Sequence, residues 1–402
     1  MRTVRPVYVF ANAMALAVVF VFGMGCGDVT QPVGGLNPLP DRGLLAVCSD
    51  YASTSVSILD SMTLEPLSAA YLHSGSIPPG GSPALGGDVT LPSEFAEGEP
   101  LLLDRFPAGV ITWLGTPTAG RPSQLNVGHD FAPNPHDALR LADGRWLVTR
   151  YGVQPTQPAG GGPAEGDDVL VLGSEREILG TIGVSHLVEG RARPDRLLSV
   201  GPAIWVSLNR VEADFQTWRE GAIAVIRETE DGGLLASEAL PIAGLTNCAL
   251  MSLHGPHVVI ACGGSYVGGT PSLPDAGLVR LDEAGLETGR LSAMDARAGG
   301  GFGAGLTHRT DGSVLAVVYG DVGGAADKVI SWDPDGDIVE EVFVGSGAFR
   351  IGGVSVDHAG AALVVDADPA GGRVCRLSDH LCVNPCPVTQ LPPRAIQFYE
   401  AR

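Results

Sequence analysis

Lysine is almost missing from this chain: Lys328 stands alone against 24 arginines. Charged residues make up only 17% of it, and no amphipathic run of 10–15 residues separates its apolar segments. Long surface helices, and the parallel α/β folds that need them as crossovers, are therefore disfavoured. Also absent are the compact signatures of catalysis: no G-x-S-x-G elbow, P-loop or H-E-x-x-H is present, and no glycine fingerprint joins strand to helix. AGGGFGAG at 298–305 is not followed by the Lys-Ser/Thr that phosphate binding needs, and DPDGD at 333–337 lacks the terminal Glu of a calcium loop. CVNPC at 382–386 has no second Cys/His pair at zinc spacing, and there is no haem-attaching C-x-x-C-H. These absences predict no catalytic motif, no metal and no cofactor. Basic residues are short overall, 25 against 45 acidic, a net charge of −20. Such a surface repels phosphate backbones and anionic headgroups, so nucleic acid is not an expected partner.

In abundance are glycine (56), proline (30) and apolar residues (45%), a mix suited to many short strands joined by tight turns around a large core. The stretch AVCSDYASTSVSILDSMTLEPL (46–67) reads strand, loop, strand, turn, strand, and the order returns at 138–184, 197–242, 248–291, 304–344 and 352–383, with a weaker copy at 88–115. No such unit can bury both faces alone, so the units must stack. Four-stranded units of roughly 40–60 residues predict the blades of a β-propeller rather than a jelly roll. The count is seven. The first unit lacks an innermost strand, and RAIQFY near the C-terminus has the length and pattern to supply it beside residues 44–49. The expected fold is an all-β, seven-bladed propeller over 42–402, closed by the C-terminal strand joining blade 1.

Strand pairing also places cysteines. A two-residue turn sets Cys375 across from Cys382, and a turn near Gly255 does the same for Cys248 and Cys262, within disulfide reach. Cys48 and Cys386 remain: a bond clasping the ring, or two free or otherwise paired thiols.

At the N-terminus, Arg2 and Arg5 precede the apolar run VYVFANAMALAVVFVF and GMGC at 23–26. This segment resembles a bacterial lipoprotein signal, which implies removal of 1–25, lipidation of Cys26 and a Gly/Pro-rich tether over 26–41. An ordinary cleaved signal or an uncleaved anchor are the alternatives. Losing two of the 25 basic residues would leave 23 against 45 acidic, a net charge of −22. CSDYASTSVSILDSMTLEPL and WLVTRYG…DDVLVLGSEREILGTIGV resemble the YVTN type of propeller repeat, found in a broad group of exported bacterial lipoproteins. That resemblance implies fold and a cell-envelope location, lipid-anchored at the outer membrane or periplasmic face, and no particular activity.

Turns between strands one and two and between three and four are short. Long connections between strands two and three (152–167, 209–220, 263–275) gather on the opposite face, with the starts of the innermost strands. Insertions on one face predict a binding face. The candidates there are His136, Asp137, Asp195, Arg196 and Asn247 at strand starts, with Arg150, Tyr151, Arg210 and Tyr266, and also Arg105-Phe106 and Asn209, where second strands end. His136-Asp137 is half an acid/base pair, but adjacent strand residues ordinarily point to opposite faces. The expected function is a monomeric, non-enzymatic scaffold presenting this face to an envelope protein, glycan or small ligand. The alternatives are a propeller hydrolase or lactonase, with polar ligands from distant blades converging on the channel, or a redox or metal-handling accessory subunit.

Overall fold

The computed structural model describes residues 39–76, 84–95, 99–115, 122–128, 131–153, 165–267, 270–295, 297, 300–321, 324–368 and 370–400. Residues 1–25, Cys26 and most of the tether, like the middle of the 152–167 loop, lie outside them. Seven four-stranded antiparallel sheets follow one another around a ring. Blade 1 is built from Arg42–Ser49, Thr54–Leu59 and Pro66–His73, and its innermost strand is the C-terminal Pro393–Glu400. The closing register pairs Leu44 with Phe398 and Ala46 with Ile396, as the missing strand required.

The innermost strands of blades 2 to 7 are Val89–Thr90, Pro135–Arg140, Pro194–Val200, Cys248–His254, Phe302–His308 and Ile351–Val356. Successive side chains of a strand point to opposite faces, and both faces pack against neighbouring blades. Leu45 and Val47 face blade 2, while Leu44 and Ala46 on the same strand face blade 7. Seven apolar clusters form among the described residues, one for each junction between neighbouring blades. Each fully buried Leu or Val in them contributes roughly 1.5–3 kcal/mol. At the junction of blades 2 and 3, Trp113 and Trp146 meet edge to face at 5.8 Å, a favoured aromatic geometry.

Turn chemistry follows the sequence. Asp143-Gly144 closes a hairpin with Gly144 at φ 91°, a conformation only glycine adopts without strain, and the Asp143 carboxylate accepts the Arg145 amide. The hairpin between Lys328–Asp333 and Ile338–Val344 occupies the DPDGD motif, which is a turn.

All three disulfides form: Cys375–Cys382, Cys248–Cys262 and, spanning 338 residues of sequence, Cys48–Cys386. The last resolves the alternative left open by the sequence. It ties blade 1 to the connector that leads into the closing strand.

Candidate active site at the channel mouth

One irregularity recurs where innermost strands begin. In six blades the register slips at that end: Arg394 is the extra residue in blade 1, His136-Asp137 in blade 3 and Asp195-Arg196 in blade 4. Ala249 takes that place in blade 5, residues 303–305 in blade 6 and Gly352 in blade 7. A bulge re-aims side chains that strict alternation would send into neighbouring blades. Within the blade 3 bulge His136 and Asp137 still diverge, as adjacent strand residues do: His136 serves the mouth, and Asp137 turns into the junctions with blades 2 and 4. Opposite the bulges, Thr149 and Ser207 sew the blades together. The Thr149 hydroxyl accepts the Asp137 amide at 2.9 Å and donates to the Asp195 carbonyl at 2.8 Å. The Ser207 hydroxyl does the same between the Arg196 amide and the Ala249 carbonyl.

The bulged residues make a lopsided ring: charged groups on blades 1, 3 and 4, small residues on blades 5, 6 and 7. Within it His136 and Asp195, 59 positions apart, come together. His136 Nδ1 lies 3.1 Å from Asp195 Oδ2, with side-chain exposures of 13% and 8%. A carboxylate can only accept, so Nδ1 carries the proton and Nε2 presents a lone pair. Burial pulls the His136 pKa below its ordinary value against the opposing pull of Asp195, and nearby Arg105 and Arg196 add to the lowering. Asp195 is raised by burial but held below the usual range by His136, Arg196 and Arg105 together. The pair is therefore a neutral imidazole beside a carboxylate near neutral pH, which is the resting form of a general base.

Around it, Tyr151 stacks on the His136 ring. Its hydroxyl donates to Asn209 Oδ1 (3.2 Å), Asn209 Nδ2 donates to Asn247 Oδ1 (2.6 Å), and Asn247 reaches the Gly264 carbonyl (3.3 Å). Arg193 lies beneath Tyr151, donating to its carbonyl at 2.8 Å. Arg196 Nη1 donates to the His136 carbonyl at 3.0 Å, and its Nε lies 3.4 Å from Asp195 Oδ1.

The other sequence candidates fall elsewhere. Asp137 is a buried latch: its carboxylate accepts from Ser93 N and Oγ, Ala138 N and Leu197 N, joining blades 2, 3 and 4. Arg150 is fully buried in a two-pronged pair with Asp168 (2.7 and 2.5 Å). Arg210 is spent on the carbonyls of Glu220 and Glu189. Tyr266 sits against Trp218 with ring centroids 6.1 Å apart. Arg394 was not among the sequence candidates. The signal that would have found it is the repeated start NPHD, RPDR, PPRA, in which His136, Asp195 and Arg394 each follow a proline. Below the mouth the axial channel holds about 170 Å³ and is lined by six of the seven innermost strands. Among the described residues no group of three or more His, Cys, Asp or Glu is placed to hold a metal ion.

No family model and no curated protein matches this chain. Its structure is similar to the periplasmic gluconolactonase PpgL of Pseudomonas aeruginosa, with a TM-score of 0.59 at 15% identity over 90% of this chain and 99% of that one. It is similar to a candidate 6-phosphogluconolactonase from Bacteroides uniformis, with 0.56 at 15% over 89% and 100%. A third is a catalytically inactive histidine-to-alanine variant of virginiamycin B lyase from Staphylococcus aureus, with 0.51 at 12% over 90% and 92%. The expectation of a non-enzymatic scaffold is corrected here. Propellers of this shape include lactonases and a lyase, and the mouth that was to be a passive binding face holds a histidine–carboxylate pair whose second nitrogen has no partner among the described residues. The likeness itself establishes the fold: this chain is a seven-bladed β-propeller.

Proposed function

We propose that this protein is an enzyme that opens a cyclic ester, with His136 as general base. The observation that carries the reading is the His136–Asp195 pair, set on two bulges at the channel mouth beside Arg196. His136 Nε2 takes a proton from water as the oxygen adds to the lactone carbonyl carbon. Asp195 stabilises the imidazolium so formed. The Arg196 guanidinium, whose Nη2 has no partner among the described residues, faces the developing oxyanion. Collapse breaks the ring C–O bond, His136 returns the proton to the leaving alkoxide, and a hydroxy acid departs. The test is proton release from a panel of sugar and aliphatic lactones by the purified protein. His136→Ala is expected to lose at least about a hundredfold in kcat/KM with the fold intact. No lactone opened, or an undiminished variant, overturns the reading.

A lyase would use the same base on a carbon-bound proton, and the inactivity of the histidine variant of virginiamycin B lyase favours keeping that reading. An unsaturated product in place of a hydroxy acid separates the two.

The setting belongs to the same proposal. The chain is a YVTN-type propeller lipoprotein of the cell envelope. Residues 1–25 are its signal, Cys26 its lipidated anchor to the membrane and 26–41 its tether, and it works as a monomer. The apolar run before GMGC and three disulfides suited to an oxidising compartment support this. Cys26→Ser is expected to move the protein from the membrane to the soluble fraction, and continued membrane retention overturns the anchor.

A further inference from the structure

We infer that the axial channel is a binding site for a small oxyanion, a carboxylate or a phosphate, with Arg394 as its principal ligand. The substrate of the mouth is then an anionic lactone. The inference rests on the proposed reaction only for where the carbonyl sits.

Three observations carry it. First, the charge of the channel is inverted relative to the protein. The chain carries 45 acidic residues against 25 basic, yet the residues lining the cavity include Arg196 and Arg394 and no Asp or Glu. A narrow passage concentrates the field of such charges, so an anion entering it meets attraction that the outer surface denies it.

Second, Arg394 has donors to spare. Its Nε donates to the Ser49 carbonyl at 3.0 Å, and its guanidinium stacks over Tyr51 at 4.8 Å. These contacts fix the plane of the group; Asp50 feels its charge, but no carboxylate among the described residues lies within ion-pair distance of it. Its two Nη groups have no protein partner there. A planar, pre-oriented guanidinium with a free edge matches the two oxygens of a carboxylate or phosphate. Arg196 is different, since Asp195 already shares its charge.

Third, at the bulged ends of blades 6 and 7 the wall carries only small residues. Ala304, Gly305, Gly352 and Gly353 line the cavity there. Close packing enforces this: a Cβ on Gly352 would stand 2.6 Å from the Arg394 carbonyl, and one on Gly305 2.5 Å from the Val354 amide. These glycines admit the backbones of neighbouring strands, and the cavity beside them is lined by Arg394, Arg196, Ser355, Thr307 and Gln397. Arg394 also occupies the bulge position that His136 and Asp195 occupy in their own blades, so the anion site and the base share one rim.

The experiment is titration calorimetry of the purified protein with sodium gluconate, sodium lactate and inorganic phosphate at low salt. It needs no turnover, so it succeeds or fails apart from the proposed reaction. Saturable binding of at least one of these anions is expected. Arg394→Gln should weaken it at least tenfold, Arg394→Lys less, and Arg290→Gln on the outer edge of blade 5 should not change it. Tighter phosphate binding assigns a phosphorylated lactone, and tighter carboxylate binding a sugar-acid or hydroxy-acid lactone. No saturable binding, or binding that Arg394→Gln leaves intact while circular dichroism shows a native fold, overturns the inference.

Discussion

Tyr151 lies flat on His136, with ring centroids 4.3 Å apart and planes 7° from parallel. One ring ends the second strand of blade 3 and the other begins its first, so a single hairpin supplies both the imidazole and the plate that fixes its plane. Asp195, from the next blade, then fixes its rotation. Stacking and ion pair together leave one ring edge available for chemistry.

That geometry makes Tyr151 a positioning residue. Tyr151→Phe keeps the plate and loses only the bond to Asn209, so kcat/KM should stay within roughly fivefold of the parent. Tyr151→Ala frees the ring, and a loss of about tenfold or more is expected, matching an aromatic contact of about 1 kcal/mol plus lost orientation. Equal losses in the two variants would place the effect in the hydroxyl instead.

The pH profile tests the base. His136 must be unprotonated to work, so activity falls as pH drops through its pKa, which burial holds below the ordinary 6.5. The acidic limb should therefore lie below pH 6.5 and the rate should be flat above it. Asp195→Asn removes the carboxylate that raises the His136 pKa, so the limb should move further down. The plateau should fall by roughly 10²–10⁴ as the ring loses its tautomer and its counter-charge. A limb that moves upward would contradict the assignment.

The bond between Cys48 and Cys386 reinforces ring closure, which the pairing of Arg42–Ser49 with Pro393–Glu400 makes. It closes a far longer loop than Cys375–Cys382, whose cysteines are 7 positions apart. In the chain-entropy account the longer loop stabilises more. Cys48→Ala with Cys386→Ala should cost roughly 2–5 kcal/mol and lower the Tm by on the order of 10 °C. The Cys375/Cys382 double variant should cost less. Calorimetric unfolding of both decides the order.

Arg150 belongs to the frame of the site and not to its chemistry. Arg150→Ala leaves the buried Asp168 carboxylate unpaired, and a loss of about 3–5 kcal/mol is expected in denaturant unfolding. Arg150→Met with Asp168→Leu should recover much of it, since the double variant holds no lone buried charge. An Arg150→Ala protein as stable as the parent would show that the pair carries no structural burden.

The architecture was legible because it is local and repeated. The apolar run in RGLLAVCS, the Asp-Gly turns and the spare strand PRAIQFYE each state a short-range preference, and seven copies of that preference admit few arrangements other than a closed ring. Cysteine pairing within a hairpin followed from register alone. The candidate site was legible only in its members: His136, Asp195 and Arg196 were named, but no spacing joined them, and Arg394 escaped because it lies 198 positions beyond Arg196.

Chain order thus dictated strands, blade number and the closing pair, because hydrophobic periodicity and turn chemistry act between near neighbours. Which side chains meet at the mouth was settled by folding. Bulges that break the alternation bring a histidine, a carboxylate and an arginine together from blades 3 and 4, and the closed circle sets Arg394 of blade 1 on the same cavity as Arg196. Those contacts depend on the curvature of the whole ring, which no single segment encodes.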